Sequence, residues 1–144
     1  MQVATTRFGL LDVDDADLIG FPTGPAGLDD CRQWVLLADG GNRALGWLQS
    51  TTHPEVALAV VGPRCFAPDY QFRVFRRELA PLELERADLA HVLAIVSKNE
   101  RGITLNLKAP IVINLARRLG RQVIANDDQP LQYELIPTLL RKTA

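Results

Sequence analysis

The chain is short of the residues that carry metal and redox chemistry. Among its 144 residues there are two cysteines, Cys31 and Cys65, and two histidines, His53 and His91. Neither CxxC nor HxxxH spacing occurs among them, so no metal site is expected. Both cysteines read as reduced, semi-buried fillers. Long apolar runs are missing too. No stretch approaches the roughly 20 residues that a bilayer-spanning helix requires, and no membrane association is expected. The opening residues, MQVATTRFGLLDVDD, lack a basic segment followed by an apolar one. No secretory leader is therefore expected, and the cytoplasm is the expected compartment. An excess of one charge is likewise absent: 16 Lys and Arg face 17 Asp and Glu, a net charge of −1. Such a balance sets up no long-range field for a phosphate backbone, so direct nucleic-acid binding is not expected.

Catalytic patterns are also missing. The sequence contains no GxGxxG, GxxxxGK[ST] or GxSxG, the motifs that cradle phosphates or present a nucleophilic serine. Cys65 follows Arg64, and a neighbouring cation lowers a thiol pKa, but nothing in the sequence brings a histidine to it. Carboxylates cluster at Asp12/Asp14/Asp15/Asp17, Asp29/Asp30, Glu83/Glu85 and Asp127/Asp128. Ala16 stands where a calcium loop begun at Asp12 needs an oxygen ligand, and all four clusters read as solvated turns. The chain is expected to be no enzyme and to hold no cofactor.

What is present is a succession of short strand-like segments. Gln2–Phe8, Asp17–Phe21, Trp34–Ala38, Leu45–Thr51, Val56–Val61, Tyr70–Phe75 and His91–Val96 are rich in apolar or alternating residues. Asp39-Gly40-Gly41-Asn42, His53-Pro54 and Asn99–Gly102 punctuate them as turns. The nearly continuous apolar runs at 45–51 and 56–61 fit strands covered on both faces. Arg76–Asp88 is the helical candidate, limited by Pro81 to one or two short pieces.

The stretch LNLKAPIVINLARRLGRQVI, Leu105 to Ile124, predicts three more strands: Ile103–Lys108, Ile111–Leu115 and Gln122–Ala125. In them Ile111 and Ile113 face the core, while Thr104, Asn106, Lys108 and Asn114 form a polar second face. Pro110, lacking an N–H, marks an edge or a bulge. The length suits one domain burying roughly 68–70% of its unfolded surface. The fold class expected is mostly β, a compact antiparallel barrel or sandwich with one or two short helices. The domain is expected over 1–128, with 129–144 as a C-terminal extension and Pro137–Ala144 frayed or partner-dependent.

Two arginine clusters, Arg73/Arg76/Arg77 and Arg117/Arg118/Arg121, leave an RNA-binding barrel as an alternative reading. A purely structural subunit of a larger assembly is a third.

Four segments, FPTGPAGLDDCRQWVLL (Phe21–Leu37), WLQSTTHPEVALAVVGP (Trp47–Pro63), PDYQF (Pro68–Phe72) and the 105–124 stretch, together resemble the flagellar assembly factor FliW family, in its order and spacing. The resemblance implies a β-rich, barrel-like cytoplasmic protein without enzymatic activity. It implies two partners, flagellin awaiting export and CsrA, the RNA-binding carbon storage regulator, whose repression of flagellin translation free FliW relieves. This chain departs from the family in its near-neutral charge, in Thr23 at a usually acidic position, and in its C-terminal ending.

If flagellin termini need temporary apolar cover, the expected lining is Phe21, Pro22, Trp47, Gln49, Phe66, Asp69, Tyr70 and Phe72. Asp69 and Tyr70 are expected at its rim, so that Asp69→Arg with Tyr70→Ala weakens binding at an unchanged melting temperature.

Overall fold

The computed structural model describes residues 1–135. A two-stranded hairpin, β1 (Gln2–Thr5) and β2 (Gly9–Asp12), precedes β3 (Leu18–Gly20), β4 (Gln33–Ala38), β5 (Leu45–Ser50) and β6 (Ala57–Val61). A long loop and helical segment then lead to β7 (His91–Asn99), β8 (Gly102–Asn114), β9 (Leu119–Gln122) and β10 (Tyr133–Glu134). Strands β3 to β9 close a seven-stranded barrel in the order β8-β7-β6-β5-β4-β3-β9, with β9 returning to β8. Every barrel pairing is antiparallel except β3 with β9, which meet at Gly20 and Leu119.

Local chemistry sets the turns. The Asp39 carboxylate accepts the N–H groups of Gly41 and Asn42 at 3.0 and 2.9 Å. Asn99 Oδ1 accepts those of Arg101 and Gly102 at 2.8 and 3.1 Å. Both are short polar side chains mimicking a backbone turn. The loop after β3 closes on Gly24, where a Cβ would sit 2.9 Å from the Asp29 backbone.

The barrel interior is filled by Ile19, Phe21, Cys31, Trp34, Leu48, Val60, Ile111 and Ile113. Each large apolar side chain buried there contributes about 1.5–3 kcal/mol. The outer wall is also apolar and is covered in three places. The β1–β2 hairpin sets Val3 and Val13 on Val35. The loop after β6, with Leu135, covers Val61, Ala94, Leu105 and Leu107. Helical residues place Leu82 on Val112 and Val123. Two-sided cover explains the continuous apolar runs in β5 and β6.

Several expectations are corrected. Tyr70–Phe75 forms no strand; it is extended loop, joined to the 123–127 stretch by Asn126 N–H to Arg73 O at 2.7 Å. The predicted strands 103–108 and 111–115 are one strand, β8. Its register against β7 jumps from Ile95↔Asn106 to Leu93↔Ile111, so Leu107–Pro110 bulge away. Asn106 Oδ1 holds that bulge by accepting the N–H groups of Lys108 and Ala109 at 3.1 and 2.9 Å. Pro110 sits where β8 has left β7, and its carbonyl takes the Val123 N–H at 2.9 Å. The strand predicted over 122–125 is assigned to Leu119–Gln122, although backbone bonds continue to Ala125.

The polar second face is corrected as well: Thr104 and Asn114 are buried. Asn114 Nδ2 donates to the carbonyls of Leu82 and Glu83 at 2.8 and 3.3 Å. It fastens the helical segment to the wall. That segment is α1 (Arg76–Leu79) followed by 3-10 turns at Ala80–Leu82 and Ala87–Leu89. Pro81 stands in a first turn, where its missing N–H costs nothing. Residues 129–135 include β10, which pairs with β8 at Leu105 and Thr104. The tail expectation at Pro137–Ala144 lies outside the described residues.

Candidate functional site

The bulged wall, the loop after β6 and the helical segment enclose a cleft of about 790 Å³. Phe72, Val74, Leu79, Ala90, Val92 and Val112 give it an apolar lining, and Arg64, Cys65, Gln71, Asp88 and His91 add polar groups. The cleft exists because the chain from 72 to 75 alternates. Phe72 and Val74 turn inward against Val112 and Val123, whereas Arg73 and Phe75 turn out. A smaller cavity of about 320 Å³ lies beside it, lined by Ala67, Pro68, Asp69, Tyr70, Leu107, Gln129, Pro130 and Tyr133. The larger volume falls in the range of sites that take a small ligand or an inserted side-chain cluster.

Tyr70 separates the two cavities. Its hydroxyl donates to the Leu107 carbonyl at 2.7 Å, and its ring stacks on Phe72 at 5.6 Å between centroids. Arg64 Nε reaches the Tyr70 carbonyl at 3.0 Å and ties the loop to itself. Burial, helped by the charge of Asp127, holds the Tyr70 phenol well above its usual pKa. Asp127 is held low, chiefly by the Arg73 N–H and then by the Gln129 amide.

The eight expected lining residues do not converge on one site. Phe66, Asp69, Tyr70 and Phe72 belong to the loop beside the cleft, with Asp69 exposed and Phe66 and Phe72 half-buried. Phe21 is 1% exposed inside the barrel, tilted against Trp34 at 5.8 Å. Its neighbour Pro22 is exposed. Trp47 lies on the outer wall of β5, donating to Asp39 Oδ1 at 3.0 Å. Phe8 packs at its edge, and the Arg7 guanidinium lies 4.3 Å from its ring centre. That indole bond is the largest cause of the lowered Asp39 pKa.

Gln49 is 0% exposed, and its amide N–H groups are used by the carbonyls of Ser50, Val56 and Pro54. Phe21 and Gln49 thus present no surface in this conformation. Tyr70 is 7% exposed, so the expectation that Tyr70→Ala leaves stability unchanged is corrected. It would empty a buried position and leave the Leu107 carbonyl without its phenol donor.

Sequence reasoning missed Val74, Leu79, Ala90, Val92 and Val112. The alternation from Tyr70 to Val74 was the available signal, read as a strand rather than as one wall of a cleft. Cys65 and His91 line the same cleft. The other pair, Cys31 Sγ and His53 Nδ1, lies 3.6 Å apart with Thr52 Oγ1 3.0 Å from the same nitrogen. Among the described residues no group of three metal-ligating side chains occurs, and no helix is long and apolar enough to cross a membrane. Arg117 pairs with Glu83 at 3.5 Å, Arg118 donates to the carbonyls of Asp17 and Leu18, and Arg121 pairs with Glu78 at 3.3 Å. Arg118 and Arg121 are thereby committed to holding the fold, whereas the Arg117–Glu83 pair is exposed.

The FliW protein family model matches residues 2–135. The flagellar assembly factor FliW of Bdellovibrio bacteriovorus is 34% identical, over 99% of this chain and 82% of that protein. Its counterpart in Natranaerobius thermophilus is 33% identical, over 86% of this chain and 84% of that protein. A crystal structure of the flagellar assembly factor FliW superposes with a TM-score of 0.85 at 26% identity. The match covers 94% of this chain and 96% of that one. These relatives are named as assembly factors, not as enzymes.

Proposed function

The chain belongs to the FliW family, and from that premise we propose that it is a cytoplasmic flagellar assembly factor that binds flagellin before export and antagonises CsrA. The observation that carries the flagellin part is the cleft, with an apolar lining from five separate stretches of chain and a polar rim. An unassembled flagellin segment exposes apolar side chains, and burying them gains about 25 cal/mol per Å² removed from water. The prolines at 63 and 68 stiffen the loop that forms one wall, which lowers the ordering cost of binding. Capture of flagellin in the cleft then competes with capture of CsrA, and this links flagellin level to flagellin translation.

Ala87 provides the test, because it lines the cleft yet is exposed and outside the core. Ala87→Trp fills the cleft. It should weaken flagellin binding by about tenfold or more, a loss of about 1.4 kcal/mol, with the melting temperature nearly unchanged. Alkylation of the exposed Cys65 with a bulky maleimide should do the same, while the buried Cys31 stays unmodified. Unaltered flagellin affinity in both cases would place the binding surface elsewhere.

A further inference from the structure

The outward side of the same 73–77 stretch is a separate surface. Phe75 and Ile124 are large apolar side chains left 49% and 60% exposed. Asn126 N–H bonds Arg73 O, and Ile124 N–H bonds Glu78 Oε1, so the stretches that carry Phe75 and Ile124 run side by side. Around them stand Arg73, Arg76 and Arg77, all exposed. Among the described residues none of the three guanidinium groups has a carboxylate or carbonyl partner, whereas Arg64, Arg117, Arg118 and Arg121 do. Arg77 instead lies over the Phe75 ring, 4.4 Å from its centre, which holds that cation beside the apolar spot.

We propose that Arg73, Arg76 and Arg77, set around Phe75 and Ile124, dock an acidic peptide segment that carries an apolar side chain between its carboxylates. Guanidinium forks donate to carboxylates in a bidentate manner, and the two apolar side chains offer the anchor that charge alone lacks. A single-stranded nucleic acid fits less well. One exposed aromatic whose face is already taken by Arg77 makes a poor stacking platform. The surface is distinct from the cleft, whose lining comes from the inward residues of the same stretch.

Fluorescence anisotropy of a labelled peptide in which leucines alternate with aspartate and glutamate tests the proposal on the full chain. The peptide should bind, and added salt should weaken it. R76E and F75A should each lower affinity by about tenfold or more, the effect of losing one charge-assisted or anchoring contact. R43E, which reverses the same charge at an exposed residue in the turn between β4 and β5, should change it little. Melting temperatures of R76E and R43E near that of the parent show that folding is intact. The proposal is overturned by no binding, by equal binding to R76E, F75A and the parent, or by an oligouridylate that binds through the same residues while the peptide does not.

Discussion

Tyr70 occupies the boundary between fold and site, and its phenol reports on both. The hydroxyl is bonded to Leu107 O and buried, so Tyr70→Phe should cost about 1–3 kcal/mol, the usual range when a buried acceptor loses its donor. A pH signature accompanies it. The folded phenol ionises above the ordinary value of 10.0 because of burial first and the Asp127 charge second. Above that value the unfolded chain loses the proton and the folded chain keeps it, so stability falls as pH rises. The parent should therefore lose more melting temperature than Tyr70→Phe on the way into the alkaline range. An identical alkaline slope in the two proteins would show that the phenol is not buried as described. Gly120 is the other residue with a sharp expectation. A Cβ there would sit 2.8 Å from Phe21 Cζ, inside a filled core. Gly120→Ala should cost about 1–3 kcal/mol, as overpacking does, and denaturant titration measures it.

Among the elements, β8 carries the most. Its second half is paired on both edges, to β7 and to β9, and Ile111 and Ile113 lie in the interior at 0% exposure. Ile113→Ala should cost about 2–5 kcal/mol. On the opposite face Asn114 holds the carbonyls of Leu82 and Glu83. Asn114→Ser shortens that tie and leaves a buried carbonyl unpaired, for about 1–3 kcal/mol. The two effects should differ in place as well as size. Ile113→Ala loosens the barrel, whereas Asn114→Ser should speed amide exchange chiefly over the helical segment 76–89. Uniform acceleration across all strands in the Asn114 variant would contradict a local clamp.

For the whole molecule, the proposed switch requires two occupancies that oppose each other. Negative coupling is reciprocal: if flagellin lowers affinity for CsrA, CsrA lowers affinity for flagellin by the same factor. Titrating flagellin into a preformed complex with CsrA should release CsrA in proportion. A stable ternary complex with undiminished affinities would reject the switch even if each partner bound well alone. Ala87→Trp adds a second readout, since a protein unable to take flagellin should resist that release.

The sequence by itself determined what depends on neighbours along the chain. Alternation and turn chemistry marked most of the barrel strands, the Asp39 and Asn99 turns, and Ile111 and Ile113 as core. Pro81 limited the helices in the same way. The four motif segments pointed to the family. Tertiary structure alone decided what polar residues face. Asn114 finds its acceptors 31 and 32 residues away, and Tyr70 finds Leu107 at a separation of 37. Hydrogen-bond partners at such distances leave no periodicity to read. The unity of β8 across Pro110 belongs to the same class, because the strand exchanges one set of neighbours for another at the bulge. So does the cleft: its walls come from loop, helix and strand, and only closure of the barrel brings them to one place.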